Sequence, residues 1–132
     1  MAIAGTYNNF LWAKYSNSYL SYNPKGSIDK YFIKGENHFE VINQLKKHVQ
    51  YQRHNLVTDD MNKKFKIIFC RNVMIYFDDV LKMKILKMFY NCLDDDGYFI
   101  IGYYDLMPNE AKNMFKLYCP VTRIYTKNTD GN

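Results

Sequence analysis

"FKIIFCRNVMIYFDD", residues 65–79, is the stretch on which the reading of this chain turns. Phe65 to Phe69 is apolar apart from Lys66 and rich in β-branched and aromatic residues, the pattern of a buried strand. Cys70, Arg71 and Asn72 follow directly, apolar sequence resumes, and then Asp78 or Asp79 offers an N-cap for a helix running to about Leu93. Leu81, Ile85, Met88, Phe89 and Cys92 recur at helical spacing while Lys82, Lys84 and Lys87 stay off that stripe, so one face is built to pack on a sheet. A turn is expected at Asp94-Asp95-Asp96-Gly97, and Tyr98 to Gly102 reads as a second buried strand. Strand, helix and strand in that order predict a right-handed parallel unit, and hence an α/β fold.

In an open parallel sheet, ligands sit beyond the carboxyl ends of the strands, and Arg71-Asn72 falls at such an end. The plainer alternative is a surface cation followed by a turn former. Spacing alone leaves both open.

The bulk properties narrow the class. The chain has 132 residues, 48% of them apolar and 17% aromatic, which suits one globular domain. Nothing at Met1 to Tyr7 resembles a signal peptide, and no apolar run approaches a membrane span, so a cytoplasmic protein without membrane insertion is expected. Cys70, Cys92 and Cys119 lack CxxC spacing and read as reduced thiols. The net charge of +5 comes from lysines scattered over several elements, which points away from nucleic acid and leaves a mildly basic face for an acidic protein surface. His38, His48 and His54 with Cys70 show no ligand spacing, so no metal site is expected.

Outside the central unit, residues 1–26 read as an irregular or weakly helical arm ending in the turn Asn23-Pro24-Lys25-Gly26. A short helical turn is expected to carry Ile28, Tyr31 and Phe32. His38 to Ile42 reads as a strand, Asn43 to Lys47 as one helical turn, and Val49 to Arg53 as a half-buried strand by its alternation. Phe115 to Lys127 predicts two short strands about Pro120.

Taken together, these segments resemble the chemotaxis receptor methyltransferase family (CheR type), which transfers a methyl group from S-adenosylmethionine to receptor glutamates. "FKIIFCRNVMIYFD" resembles the family's strand-four signature and "HNL" at 54–56 its strand-three ending. "LDDDGYFIIG" is similar to its next strand, and "LYCPVTRIYTK" to its closing hairpin. "IDKYFIKGENHFEVINQLKKHVQYQRHNL" follows its run through a small inserted antiparallel subdomain, which in some members docks on the receptor tail. The resemblance implies cofactor contacts at Asn55, Leu56, Arg71 and Asn72. It also implies that Tyr76 lies near the transferred methyl, where its hydroxyl orients the acceptor carboxylate; an aromatic packed behind the strand is the alternative. Glutamate is already ionised near neutral pH, so attack on a sulfonium methyl needs alignment and exclusion of water rather than a general base.

The family's glycine-rich loop has no counterpart, because the glycines at 5, 26, 35, 97, 102 and 131 provide no GxG. The resemblance therefore implies the carboxyl-terminal part of a Rossmann-like sheet, in which the family's strand order is 3-2-1-4-5-7-6. The first strands are missing, residues 31–49 form the inserted β-subdomain, and residues 50–127 form the rest of the sheet. The strand at Phe65 to Cys70 would then keep an open edge, covered by a homodimer partner, a rearranged sheet or another chain. Where the family has a His-Ser-Glu-Ser type run, this chain has Tyr103-Tyr104-Asp105. The expected partner is a chemoreceptor cytoplasmic region or a related signalling protein. The competing expectation is a non-catalytic binding module derived from the same family.

Overall fold

A computed structural model describes residues 3–129 as two compact units that divide between Arg53 and His54. The first holds a three-stranded antiparallel sheet in the order β1-β3-β2, from β1 (Thr6–Asn8), β2 (Phe32–Lys34) and β3 (His38–Val41). Helix α1 (Trp12–Tyr22) and a single turn, α2 (Asn43–Lys46), complete it. Its centre is aromatic. Phe39, 2% exposed, meets Trp12 at 4.8 Å, Phe32 at 5.2 Å and Tyr7 at 5.5 Å between ring centroids, an arrangement that adds quadrupole attraction to the burial of apolar area. Lys46 Nζ meets Glu40 at 2.5 Å and the Ala4 carbonyl at 3.3 Å, bracing α2 against the central strand β3 and the chain just ahead of β1.

The expected helical turn is present, a 3-10 turn at Asp29–Tyr31 that Phe32 closes, its N–H donating to the Asp29 carbonyl, before it starts β2. The amino-terminal arm is helical over the eleven residues of α1, and it also contains a strand that its sequence did not announce. Val49 to Arg53 forms no strand; the segment is exposed, with no ladder partner for its backbone. Alternating sequence makes a strand only where another strand can take up its N–H and C=O groups.

The second unit is a mixed four-stranded sheet in the order β4-β5-β7-β6, built from β4 (Phe65–Cys70), β5 (Leu93–Ile101), β6 (Phe115–Cys119) and β7 (Ile124–Lys127). Strands β4 and β5 are parallel and joined by α3 (Asp79–Cys92), while β5 to β7 and β7 to β6 are antiparallel. Asp78 caps α3, its Oδ1 accepting the Leu81 N–H at 2.8 Å. Ile85, Leu86 and Phe89 bury the helix face in one core with Cys70, Phe99, Ile101 and Tyr125. Each of the large apolar side chains contributes about 1.5–3 kcal/mol by leaving water.

The turn expected at Asp94 to Gly97 is instead an irregularity inside β5. Phe65 pairs Leu93 and Ile67 pairs Tyr98, so three surplus residues bulge from the longer strand. Lys66 and Lys127 hold the bulge through Asp96 and Asp95. Strand β4 has β5 as its one neighbour and lies at the edge of the sheet. The sheet face opposite α3 is partly bare, with Ile67 52% and Phe69 69% exposed. Among the described residues, no helix is long and apolar enough to cross a membrane.

Candidate functional site

The connection from β4 to α3 is organised by a carboxylate thirty residues downstream. Asn72 leaves the strand at φ 59°, in the left-handed region that asparagine tolerates better than most residues. Its N–H donates to Asp105 Oδ2 at 2.6 Å, Gly102 N–H donates to the same oxygen at 2.8 Å, and Ile75 N–H donates to Oδ1 at 3.2 Å. Asp105 is fully buried. Three backbone donors replace the water that a buried carboxylate gives up, and each such bond is stronger than a neutral one. Asp105 thus ties the end of β5 to the loop after β4 and sets where Arg71 and Asn72 stand.

Gly102 permits this closeness. A Cβ at that position would lie 2.7 Å from both Asn72 N and Asp105 Oδ2, and closer still to Asn72 Oδ1. Cys70, buried beneath the loop, is held protonated, because burial and then the Asp105 carboxylate push its thiol up to about 11. It is no nucleophile at neutral pH.

Arg71 is exposed and lines an open concavity of about 420 Å³ on the sheet face away from α3, with Phe69, Ile100 and Tyr103 among the walls. Tyr76 ends a 3-10 turn, Met74–Tyr76, and is 80% exposed while its neighbour Met74 is fully buried. The connection therefore anchors itself through Met74 and leaves the tyrosine ring in solvent.

Asn55 and Leu56 lie on a separate loop pinned to α3 by Lys84 Nζ, which donates to the Val57 carbonyl at 2.6 Å, and by Cys92 Sγ, which donates to the Met61 carbonyl at 3.1 Å. Asn55 Oδ1 accepts the Val57 N–H at 2.9 Å, and Asp59 Oδ2 accepts the Asn55 N–H at 2.9 Å. That hydrogen bond, and then one from Thr58, hold the Asp59 carboxyl below its ordinary range. Leu56 lines an apolar cavity of about 220 Å³ with Ile68, Met88 and Phe89. His54 borders the same cavity, and its buried Nε2 has no hydrogen-bond partner.

The structure thus gathers Arg71, Asn72 and Tyr76 in one connection and puts Leu56 in a different concavity, with Asn55 committed to its own turn. Sequence reasoning missed Asp105 as an organiser. The available signal was its place three residues after the glycine that ends an apolar strand, in the very run where the family pattern departs.

The comparisons agree with one another. The family model described as "CheR methyltransferase, SAM binding domain" matches residues 11–123. A probable chemotaxis protein methyltransferase of Rhizobium etli is 37% identical over 84 residues, covering 63% of this chain and 31% of the relative. A chemotaxis protein methyltransferase of Borreliella burgdorferi is 42% identical over 67 residues, 49% of this chain and 24% of that protein. Chemotaxis protein methyltransferase 2 of Vibrio cholerae is 30% identical over 88 residues, 64% and 31% respectively. The matches span less than a third of these relatives' length. With a mixed α/β sheet, an Arg-Asn connection at the end of β4 and a family match over most of its length, the chain belongs to the CheR methyltransferase family, whose matched domain binds S-adenosylmethionine.

Proposed function

We propose that this chain supplies the acceptor end and part of the cofactor site of a protein-glutamate O-methyltransferase acting on chemoreceptor cytoplasmic regions, and that transfer requires further polypeptide to complete the site. The observation that carries the reading is the β4–α3 connection, where Arg71 and a left-handed Asn72 are locked to β5 through Asp105 at the carboxyl end of a parallel pair. The order β4-β5-β7-β6 coincides with the last four positions of the family's strand order, which supports the Rossmann-like assignment.

The residues at the carboxyl end of β4 fit one part of the cofactor. Leu56 lines a separate apolar cavity with Phe65 and Cys92, large enough for a planar ring by the ~150 Å³ that holds benzene, with the unpartnered His54 Nε2 as its polar atom, so the base would reach it only with the further polypeptide in place. Leu56 and Asn55 would border the base, with Arg71 and Asn72 holding the other end. When bound, S-adenosylmethionine supplies an electrophilic sulfonium methyl. The chain's own part is to align the acceptor: Tyr76, exposed at the end of a 3-10 turn anchored by buried Met74, is placed to donate its hydroxyl to a glutamyl carboxylate that needs no base to react.

Residues 31–49, which contribute two of the three strands in the first sheet, serve in this reading as the receptor-docking subdomain. The open β4 edge is where a second copy or another chain would complete the sheet, in the cytoplasm. Calorimetric titration with S-adenosylhomocysteine tests the reading: binding is expected, weakened about tenfold or more by Arg71→Ala, a change of ~1.4 kcal/mol. No heat at millimolar ligand would remove cofactor binding by this chain.

A further inference from the structure

The concavity that holds Arg71 carries a second arginine, Arg123, to which the proposed function gives no part. Arg123 lies in the turn between β6 and β7 at φ 55°, a conformation that costs a non-glycine residue about 1–2 kcal/mol. The turn is tied to the end of β5, where Ile101 N–H donates to the Arg123 carbonyl at 3.2 Å. The Arg123 guanidinium stands 5.7 Å from the centre of the Tyr103 ring. Phe69, Arg71, Ile100, Tyr103 and Arg123 line the same hollow, and no carboxylate does. Among the described residues neither arginine makes an ion pair, although lysines elsewhere on the chain pair with Asp29, Glu40, Asp79, Asp95 and Asp96.

Two arginines lining one partly apolar hollow, with no carboxylate among its walls, make a site for an anion. The fork of a guanidinium matches a carboxylate in two hydrogen bonds, and the apolar wall suits the methylene stem that carries it. We propose that Arg123, beside the Arg71 assigned above to the cofactor, binds an acidic side chain of the protein substrate next to the methyl-accepting glutamate, making Arg123 a residue that selects acidic sequence. The inference rests on the proposed function in taking a glutamyl protein as substrate.

The test is fluorescence anisotropy of the full chain with a labelled peptide that carries glutamates on both sides of an acceptor, and with its glutamine twin. The glutamate peptide is expected to bind at least about tenfold tighter, with the advantage shrinking between roughly 50 and 200 mM salt. Arg123→Asn removes the charge while keeping a residue that accepts the left-handed backbone; it should erase the glutamate advantage and leave S-adenosylhomocysteine binding unchanged. Arg123→Lys should fall between, having lost the fork and kept the charge. Equal binding of the two peptides, or an unchanged advantage in Arg123→Asn, overturns the proposal. So does a parallel loss of S-adenosylhomocysteine affinity in Arg123→Asn, which would assign the arginine to the cofactor's own carboxylate. If the wild-type chain fails to bind S-adenosylhomocysteine yet discriminates the peptides through Arg123, the cofactor reading falls and the acidic site stands.

Discussion

Replacing Asp105 by asparagine probes the connection directly, since the carboxamide has nearly the same shape. In the better of its two orientations the amide oxygen still faces the Asn72 and Gly102 N–H groups, while the Nδ2 group confronts the Ile75 N–H. Losing the charge weakens the first two bonds by roughly 0.5–1 kcal/mol each, and the third donor is left unsatisfied at about 1–3 kcal/mol. The expected cost is about 2–5 kcal/mol. With a urea slope of ~1.5 kcal/mol per molar, the unfolding midpoint should fall by roughly 1–3 M. Far-UV circular dichroism reads the midpoint, and hydrogen exchange at the Asn72 and Ile75 amides reads the local effect. Asp96→Asn, which alters an exposed carboxylate paired with Lys66, serves as the control and should leave the midpoint close to wild type. A loss below ~0.5 kcal/mol for Asp105→Asn, or intact protection at both amides, would refute the assignment of Asp105 as the fastener of this site.

Gly102→Ala drives a methyl group against Asn72 and Asp105, so it should destabilise the chain by about 1–3 kcal/mol and weaken S-adenosylhomocysteine in the same calorimetric assay; an alanine variant as stable as wild type would contradict the packing. Cys70 gives a signature at high pH. Its thiol is raised in the folded chain from 9.0 to about 11, so its contribution to stability is complete below pH 9 and disappears as pH climbs towards 11. A rise from 9.0 to about 11 corresponds to about 3 kcal/mol, and the difference between wild type and Cys70→Ala should narrow by that order across the window. Parallel stability curves for the two proteins between pH 9 and 11 would contradict it.

The core of the second unit was readable because its signals are local. The stripe Leu81, Ile85, Phe89 and Cys92 declares α3, Asp78 caps it, and apolar runs on either side make β4 and β5. Where the structure departs, the deciding partner is distant in sequence. Thr6–Asn8 and Phe32–Lys34 are strands because β3 pairs with both, and three residues alone carry too little pattern to announce that. Val49 to Arg53 has the alternation without the neighbour. Asp94 to Gly97 has turn composition, but β5 runs through it as a bulge because its pairing with β4 resumes at Tyr98, and Lys66 and Lys127 pair with two of its exposed carboxylates. The site divides the same way. Arg71 and Asn72 announce themselves by following an apolar strand, whereas nothing near residue 72 points to the aspartate that positions it, and the role of the Asn55 side chain in its own turn is visible only in three dimensions.

The bond between Asn72 and Asp105 also sets an order in time. The two residues are 33 positions apart, and on a ribosome adding roughly 5–20 residues per second the amide of Asn72 waits about two to seven seconds before its acceptor exists. Strand β4 and helix α3 emerge from synthesis first, and the left-handed step after Cys70 lacks its lock until β5 and the turn beyond it have been made. The Arg-Asn motif is therefore not portable: moved into another sheet without a carboxylate arriving from the next strand, it would carry the letters of the site and not its shape.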